Sequence, residues 1–417
     1  MNCRRCTYLG AYGSIGLFQY LPTRGCLSHL IIRLSVNIGG SYAYSSILSD
    51  GTIKKINMKP KVLLLKNDIS SYNVPIYNTI AANYDLTVAY YRSNGAKEKC
   101  LFKLIKLNFS KLGPFIFIKG ICRLTKQYDL VSFVPDPHVF SYCILPFLPH
   151  KYGLLNWSIG FRVSYTHPYI TDRKHTIIDK LYQTIFSRCD ASIFYMEKAK
   201  EFWKNSSLDM DKVFVAPNTT LVKKIDIENK TKKDFLFVGT LYKGKGLEVL
   251  LDSYKKAIDN FNHQIPKLRI VGEGEMRPFI EDFIRKNKLE NNISLEGAIF
   301  DENVLAEQFK KAILCFSPLQ AGLSVPKSMG YGVPFVTQKN AITGGELYHI
   351  TSGENGVMYD NSEELVEIMK DAILDSVKYI NMGIAAQQYY YGKATVDHMA
   401  QGAISAFDFV LSKRENN

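Results

Sequence analysis

From Phe235 to Asp375 the chain repeats one pattern: a short apolar run, a turn containing glycine, then an amphipathic stretch. Apolar runs read as strands at 235–241, 267–272, 292–297, 312–317, 334–337 and 356–359, with helical spacing near 246–260, 276–288, 302–311, 325–331 and 362–376. Strands that short and that uniformly apolar are buried on both faces. Alternation with helices then requires parallel sheets covered on both sides. A looser version of the pattern precedes it, with strands at 61–65, 86–91, 130–134, 191–195 and 212–216. Pro217 opens a polar segment holding Lys223, Lys224, Lys230, Lys232 and Lys233, which reads as a linker. The expected architecture is α/β, with two Rossmann-like doubly wound domains, 58–220 and 235–378, facing a central cleft. They are joined by residues 221–234, and the helical residues 379–417 pack back on the first domain. Ligands of such sheets bind beyond the carboxyl ends of the strands.

Residues 1–57 lack this periodicity and are expected to be an extension, weakly ordered or not native, with the native product starting near Met58. Pro22 and Arg24 interrupt the apolar region that a signal peptide would need. Hydrophobic residues make up 46% of the chain and charged residues 22%, which excludes wholesale disorder. No window approaches the roughly 18 uninterrupted apolar residues of a membrane span. The eight cysteines show no paired metal spacing, Cys3 and Cys6 being a lone C-x-x-C. Unpaired thiols in a reducing, cytoplasmic compartment and no required metal are therefore expected. Net charge is +13, but residues 1–220 carry +15 and residues 221–417 carry −2. A basic half beside a neutral half points to an anionic partner. From Lys97 to Lys126 basic residues interleave with apolar ones, as in a membrane-surface element. The basic half carries no known reader motif for nucleic acid, which is not expected as a partner.

Three turns carry chemistry. In Val238-Gly239-Thr240-Leu241-Tyr242-Lys243-Gly244-Lys245-Gly246 a strand ends in glycines and two lysines before a helix. Glycine admits a phosphate close to the backbone, and lysine supplies a mobile charge. In Ile270-Val271-Gly272-Glu273-Gly274 a second strand ends the same way. In Gly322-Leu323-Ser324-Val325-Pro326-Lys327, Ser324 fits a helix cap and Pro326 its first turn. The amides near Leu323, Ser324 and Val325 are then placed for a pyrophosphate, with Lys327 beside it. Each turn alone is equally an ordinary strand–helix connection.

Taken in order, these segments resemble the retaining glycosyltransferases of family 4, which have the GT-B fold. The resemblance runs from about Met58 to Leu411. Gly239 to Gly246 looks like the family's G-R-L-x-x-x-K-G, with Lys245 on the phosphate-binding lysine and Thr240 in place of the arginine. Ile270 to Gly274 is similar to its I-V-G-x-G turn. The family's paired glutamates fall on Leu319 and Lys327, and Ile159 stands where a histidine is usual. Glu346, after Gly344-Gly345, is the carboxylate left to serve the donor ribose or sugar. The resemblance implies a nucleotide-diphosphate sugar as donor and a glycan or polyprenyl-diphosphate-linked acceptor. It implies Lys245 and Glu346 as catalytic residues, and Gly239, Thr240, Lys243, Gly272, Gly274, Leu323, Ser324, Val325 and Lys327 as donor-binding residues. No cofactor beyond the donor is implied. The setting it suggests is surface polysaccharide synthesis, with the protein cytoplasmic and peripheral on the inner membrane face. The missing glutamates leave open a degenerate nucleotide-sugar-binding or partner protein. An epimerase or phosphorylase on the same fold is a third alternative.

Overall fold

The computed structural model describes residues 59–161, 176–225, 232–261 and 265–415, and ahead of them three strands of backbone. Those three, Ile32–Asn37, Tyr42–Ile47 and Ile53–Asn57, pair antiparallel within the expected extension. The rest of residues 1–57 lies outside the described residues.

The first domain is built on a seven-stranded sheet. Its strands are β1 (Lys61–Lys66), β2 (Asp85–Tyr90), β3 (Lys103–Lys106), β4 (Leu130–Phe133), β5 (Gly153–Ser158), β6 (Ala191–Phe194) and β7 (Val213–Val215). They lie in the order β7-β6-β5-β4-β1-β2-β3, and every pairing is parallel. The second domain holds β8 (Asp234–Val238), β9 (Leu268–Val271), β10 (Ile293–Gly297), β11 (Ala312–Phe316), β12 (Phe335–Gln338) and β13 (Gly356–Tyr359). Their order is β10-β9-β8-β11-β12-β13, again all parallel. Side chains alternate across each strand, so β1 feeds two cores: Val62 and Leu64 enter one, Leu63 and Leu65 the other, all four fully buried. That is why the strand reads as one unbroken apolar run.

Three parts differ from the sequence expectation. The interior strand β5 is not apparent in the sequence because Asn156 breaks its apolar run. In the fold Asn156 is buried and donates to Ser192 on β6 at 2.6 Å, which offsets its desolvation. The basic stretch 97–126 forms edge strand β3 and a hairpin, Phe109–Leu112 against Phe115–Ile118, turning at Gly113-Pro114. Of the two carboxyl-terminal helices, Ser376–Lys393 packs on the second domain, with Tyr379, Met382, Ala386 and Tyr390 in its cores, and only Val396–Glu415 packs back on the first. Met399, Ala400, Ala403, Ile404, Phe407 and Val410 on that last helix share the core of Val62 and Leu64. A Cβ on Gly402 would lie 2.2 Å from the Val215 carbonyl oxygen, so the bare glycine sets how closely this helix approaches the first sheet. Among the described residues no helix is long and apolar enough to cross a membrane.

Candidate active site

The strands of both domains end at the cleft, and the two glycine turns of the second domain meet there. Gly239, Gly272 and Gly274 have φ of +153°, +155° and +155°. A Cβ on Gly272 would lie 1.9 Å from the Gly239 carbonyl oxygen, and one on Gly274 2.4 Å from that of Leu241. These two glycines therefore let the turns stack backbone to backbone, a packing requirement that the sequence pattern does not reveal. Gly239 donates to Val271 at 3.0 Å and Leu241 to Glu273 at 2.9 Å, which fixes the pair.

Lys245 ends the short turn Lys243–Lys245. Its side chain folds back over Gly239, where a Cβ would lie 3.6 Å from Nζ, and the residue is 9% exposed. Burial lowers its pKa, and the nearby Glu346 carboxylate opposes that shift. Lys243 and Thr240 are exposed at the same turn. The turn rests on the next loop: Leu319 donates to the Lys245 carbonyl at 3.3 Å, and a Cβ on Gly246 would strike Leu319 and Pro318. Tyr242 donates to the Gln320 side chain at 2.5 Å.

Glu346 is 4% exposed and lies in the short helical turn Glu346–His349. Its Oε1 accepts from Asn218 Nδ2 at 2.6 Å. Its Oε2 accepts from the Gly344 amide at 2.9 Å and the Thr343 hydroxyl at 3.2 Å. Burial raises its pKa, and these hydrogen bonds pull the other way. The Glu346 amide adds a fourth donor to a group that offers about four lone-pair positions, so the carboxylate is held firmly in place. Thr343 belongs to a two-strand ladder in which Gln320 and Ala321 pair with Ile342 and Thr343. That ladder brings the Lys245 loop and Glu346 together.

The domains meet at this carboxylate. Asn218 sits just beyond β7, and its carbonyl accepts from His349 Nε2 at 2.9 Å. A carbonyl can only accept, so Nε2 carries the proton and Nδ1 faces the Tyr389 hydroxyl at 3.2 Å. Gly345, at φ +122°, lies so close to Met196 of the first domain that a Cβ would meet its Cε at 2.1 Å. Across the cleft, Lys97 Nζ lies 4.4 Å from the ring centre of Phe300. Burial lowers the pKa of His349 below its ordinary 6.5. A base held neutral in the fold contributes stability that is present above pH 6.5 and lost as pH falls through its folded value. Melting between pH 5 and 7 should therefore show wild type losing more stability on acidification than His349→Gln.

Two expectations at the third turn are corrected. Ser324 is the first residue of the helix Ser324–Gly330, not its cap, because Leu323 occupies that position. Its hydroxyl is buried without a partner. The Val325 amide is spent on the Gly322 carbonyl at 2.9 Å. Lys327 is turned to a different partner: Nζ contacts Glu302 at 2.5 Å, and the other oxygen of Glu302 accepts from Tyr331 at 2.7 Å. Lys327 thus lies in the last turn of this seven-residue helix, where a cation suits the dipole, and a carboxylate from the neighbouring helix balances it, so no bound anion is needed to explain it. Leu319 is packed against Gly246, and Ile159 packs on the core of the first domain. Asn218, Thr343, Gln320 and His349 were missed in the sequence, where nothing distinguishes them from ordinary loop polar residues. Among the described residues no cluster of His, Cys, Asp and Glu is arranged to hold a metal ion.

Residues 232–375 match the family model described as "Glycosyl transferases group 1". An uncharacterized glycosyltransferase of Haemophilus influenzae is 24% identical over 201 residues, covering 46% of this chain and 54% of that protein. One from Methanocaldococcus jannaschii is 24% identical over 185 residues, covering 43% and 46%. The chain thus spans about half the length of the curated relatives it matches. Among solved structures, Anabaena Alr3699/HepE in complex with UDP superposes with TM-score 0.58 at 16% identity, covering 83% of this chain and 99% of that one. A glycosyltransferase from Rickettsia africae superposes with TM-score 0.59 at 14% identity, covering 85% and 99%. The architecture is the GT-B fold, two Rossmann-like domains across a cleft.

Proposed function

We propose that this GT-B chain is a glycosyltransferase moving a sugar from a nucleotide-diphosphate sugar to a glycan or polyprenyl-diphosphate-linked acceptor, with retention at the anomeric carbon, in surface polysaccharide or glycoconjugate synthesis. One observation carries the reading: a buried lysine, Lys245, lies against a glycine turn, and a two-strand ladder brings its loop to a buried carboxylate, Glu346, in the domain that matches a glycosyltransferase model. Negative charge grows on the diphosphate as the glycosidic bond breaks, and Lys245 is placed to neutralise it in a water-poor site. The amides of Leu323 and Ser324 add dipoles of the right sign. Glu346 favours the protonated form of Lys245, and a phosphate oxygen takes the acceptor's proton, so no second carboxylate is required. Because the Anabaena protein was crystallised with UDP and with UDP-glucose, uridine diphosphate is the first ligand to test.

Thermal melting with UDP, GDP, TDP, CMP and ADP tests this reading. One diphosphate should raise the melting temperature, by about 2.7 kcal/mol of stabilisation at 100 times its dissociation constant. The increase should vanish in Lys245→Met. No shift with any of the five would favour the degenerate reading, which Leu319, Thr240, Ile159 and the Lys327–Glu302 pair would then explain.

The first domain would present the acceptor side to an anionic leaflet, as a peripheral protein on the inner membrane face. Residues 99–128 hold seven Lys and Arg and no Asp or Glu. The hairpin within them exposes Phe109, Leu112 and Phe115, Leu112 being 72% exposed. Apolar tips flanked by cations suit a membrane interface, each cation contributing about 1 kcal/mol near acidic lipid. The full chain should sediment with vesicles containing phosphatidylglycerol and not with pure phosphatidylcholine, and salt should weaken it. Leu112→Asp with Phe115→Asp should cut binding about tenfold or more, with nucleotide binding unchanged.

A further inference from the structure

Lys66 is the last residue of β1, at the carboxyl end of the first domain's sheet and next to Asn67 and Asp68. It is 7% exposed. Its Nζ lies 4.4 Å from the ring centre of Trp157 on β5 and 5.9 Å from that of Tyr77 on the helix Val74–Ala81. No carboxylate pairs with it among the described residues. The other ionisable groups gathered there are Tyr77 itself and, around Tyr77, Tyr195, Tyr72 and Asp68. Burial alone lowers the amine's pKa to about 7.

A buried cation without an anion is costly, and two ring faces offset only part of that cost. A second donor beside it is also unspent: the indole Nε1 of Trp157 is buried without a partner. On the next residue, Asn67 gives its amide to Asp136 at 3.1 Å and leaves its Oδ1 buried and unpaired. Two unmatched donors and one unmatched acceptor thus lie near the carboxyl end of β1 in the first domain's sheet. The complementary molecule carries an anionic oxygen group for the donors and a hydroxyl for the acceptor.

We propose that Lys66, Trp157 and Asn67 form a subsite for a negatively charged sugar unit, with Lys66 pairing to its carboxylate or phosphate. Calling that unit the acceptor rests on the transferase reading; the subsite itself does not. Uronic acid and sugar phosphate present the same chemistry to Lys66, and the probes separate them. Where the amine is neutral, binding the anion takes up one proton onto Nζ. Affinity should then fall toward tenfold per pH unit above about pH 7.

The test is calorimetric titration of the whole chain with glucuronic acid, glucose 6-phosphate and glucose at pH 6.5 and 8, in buffers of different ionisation heat. One of the two anions should bind, with proton uptake at pH 8, and glucose at least tenfold more weakly. Lys66→Met fills the same space without charge and should lose that binding at least tenfold. Lysine-selective 13Cε NMR of the unmodified protein gives a reading independent of the variant's folding: the bound anion should raise the Lys66 pKa. Binding of neither anion, equal binding of glucose, or unchanged binding in Lys66→Met would overturn the subsite. Binding of UDP, GDP, TDP, CMP and ADP measured on the same samples separates the two claims. Binding of one nucleotide without anion binding sinks only the subsite, whereas binding of none of the five counts against the transferase reading.

Discussion

Lys245→Met should lower the rate of sugar transfer about 100- to 1,000-fold, equivalent to about 2.7–4 kcal/mol, and leave the protein folded. The size follows from where the charge sits. Lys245 is 9% exposed, over a turn whose glycines admit close approach, so a phosphate there meets the ammonium in a low-dielectric setting. Methionine keeps the packing against Gly239 and removes a cation whose burial already disfavours its charged form. The melting temperature of the unliganded protein should therefore hold or rise, while the nucleotide-induced shift disappears. Single-turnover rates with a saturating donor separate a chemical defect from a binding defect. A variant that transferred sugar at the wild-type rate would remove Lys245 from the mechanism.

Glu346→Gln should lower activity about 10- to 100-fold and move the alkaline limb of the pH profile to lower pH. The first effect comes from acceptor geometry. Wild-type Glu346 accepts from Asn218, Thr343 and Gly344. A glutamine has one carbonyl oxygen and an amide that only donates, so it sets a donor against a donor at one of these contacts. The second effect comes from charge. Glu346 raises the pKa of Lys245 against the lowering by burial. Without it, Lys245 loses its proton at lower pH, and a mechanism that needs the ammonium fails sooner as pH rises. Asn218→Ala tests the support from the interdomain hinge: it should shift the donor KM more than the pH limb, because the carboxylate's charge remains. An unshifted limb in Glu346→Gln would show the two groups to be uncoupled.

The strands of the second domain were legible as short apolar runs, and after β8 and β9 the run meets the glycine that a stacked turn requires. Gly272 illustrates the limit of that signal. The sequence marks it as special, but the reason is the Gly239 carbonyl that a Cβ would meet at 1.9 Å, a contact between residues far apart in the chain. Lys327 shows the opposite case. Read from the sequence it sits in a first helical turn and suggests an anion; the structure puts it in the last turn, paired with Glu302. The hairpin at 109–118 was legible as basic and apolar but not as β, because alternation of charge and bulk suits either an amphipathic helix or a two-faced ribbon.

By itself the sequence determined the two parallel α/β sheets, the glycine turns and Lys245 as a lysine within one of them. Those features follow from local periodicity and from the backbone freedom of glycine, which a chain displays one residue at a time. Tertiary structure alone decided that Glu346 is held by Asn218 from across the hinge and that Lys66 lies buried without a counter-ion. Both depend on which groups the fold removes from water together, and that is a property of residues distant in the chain.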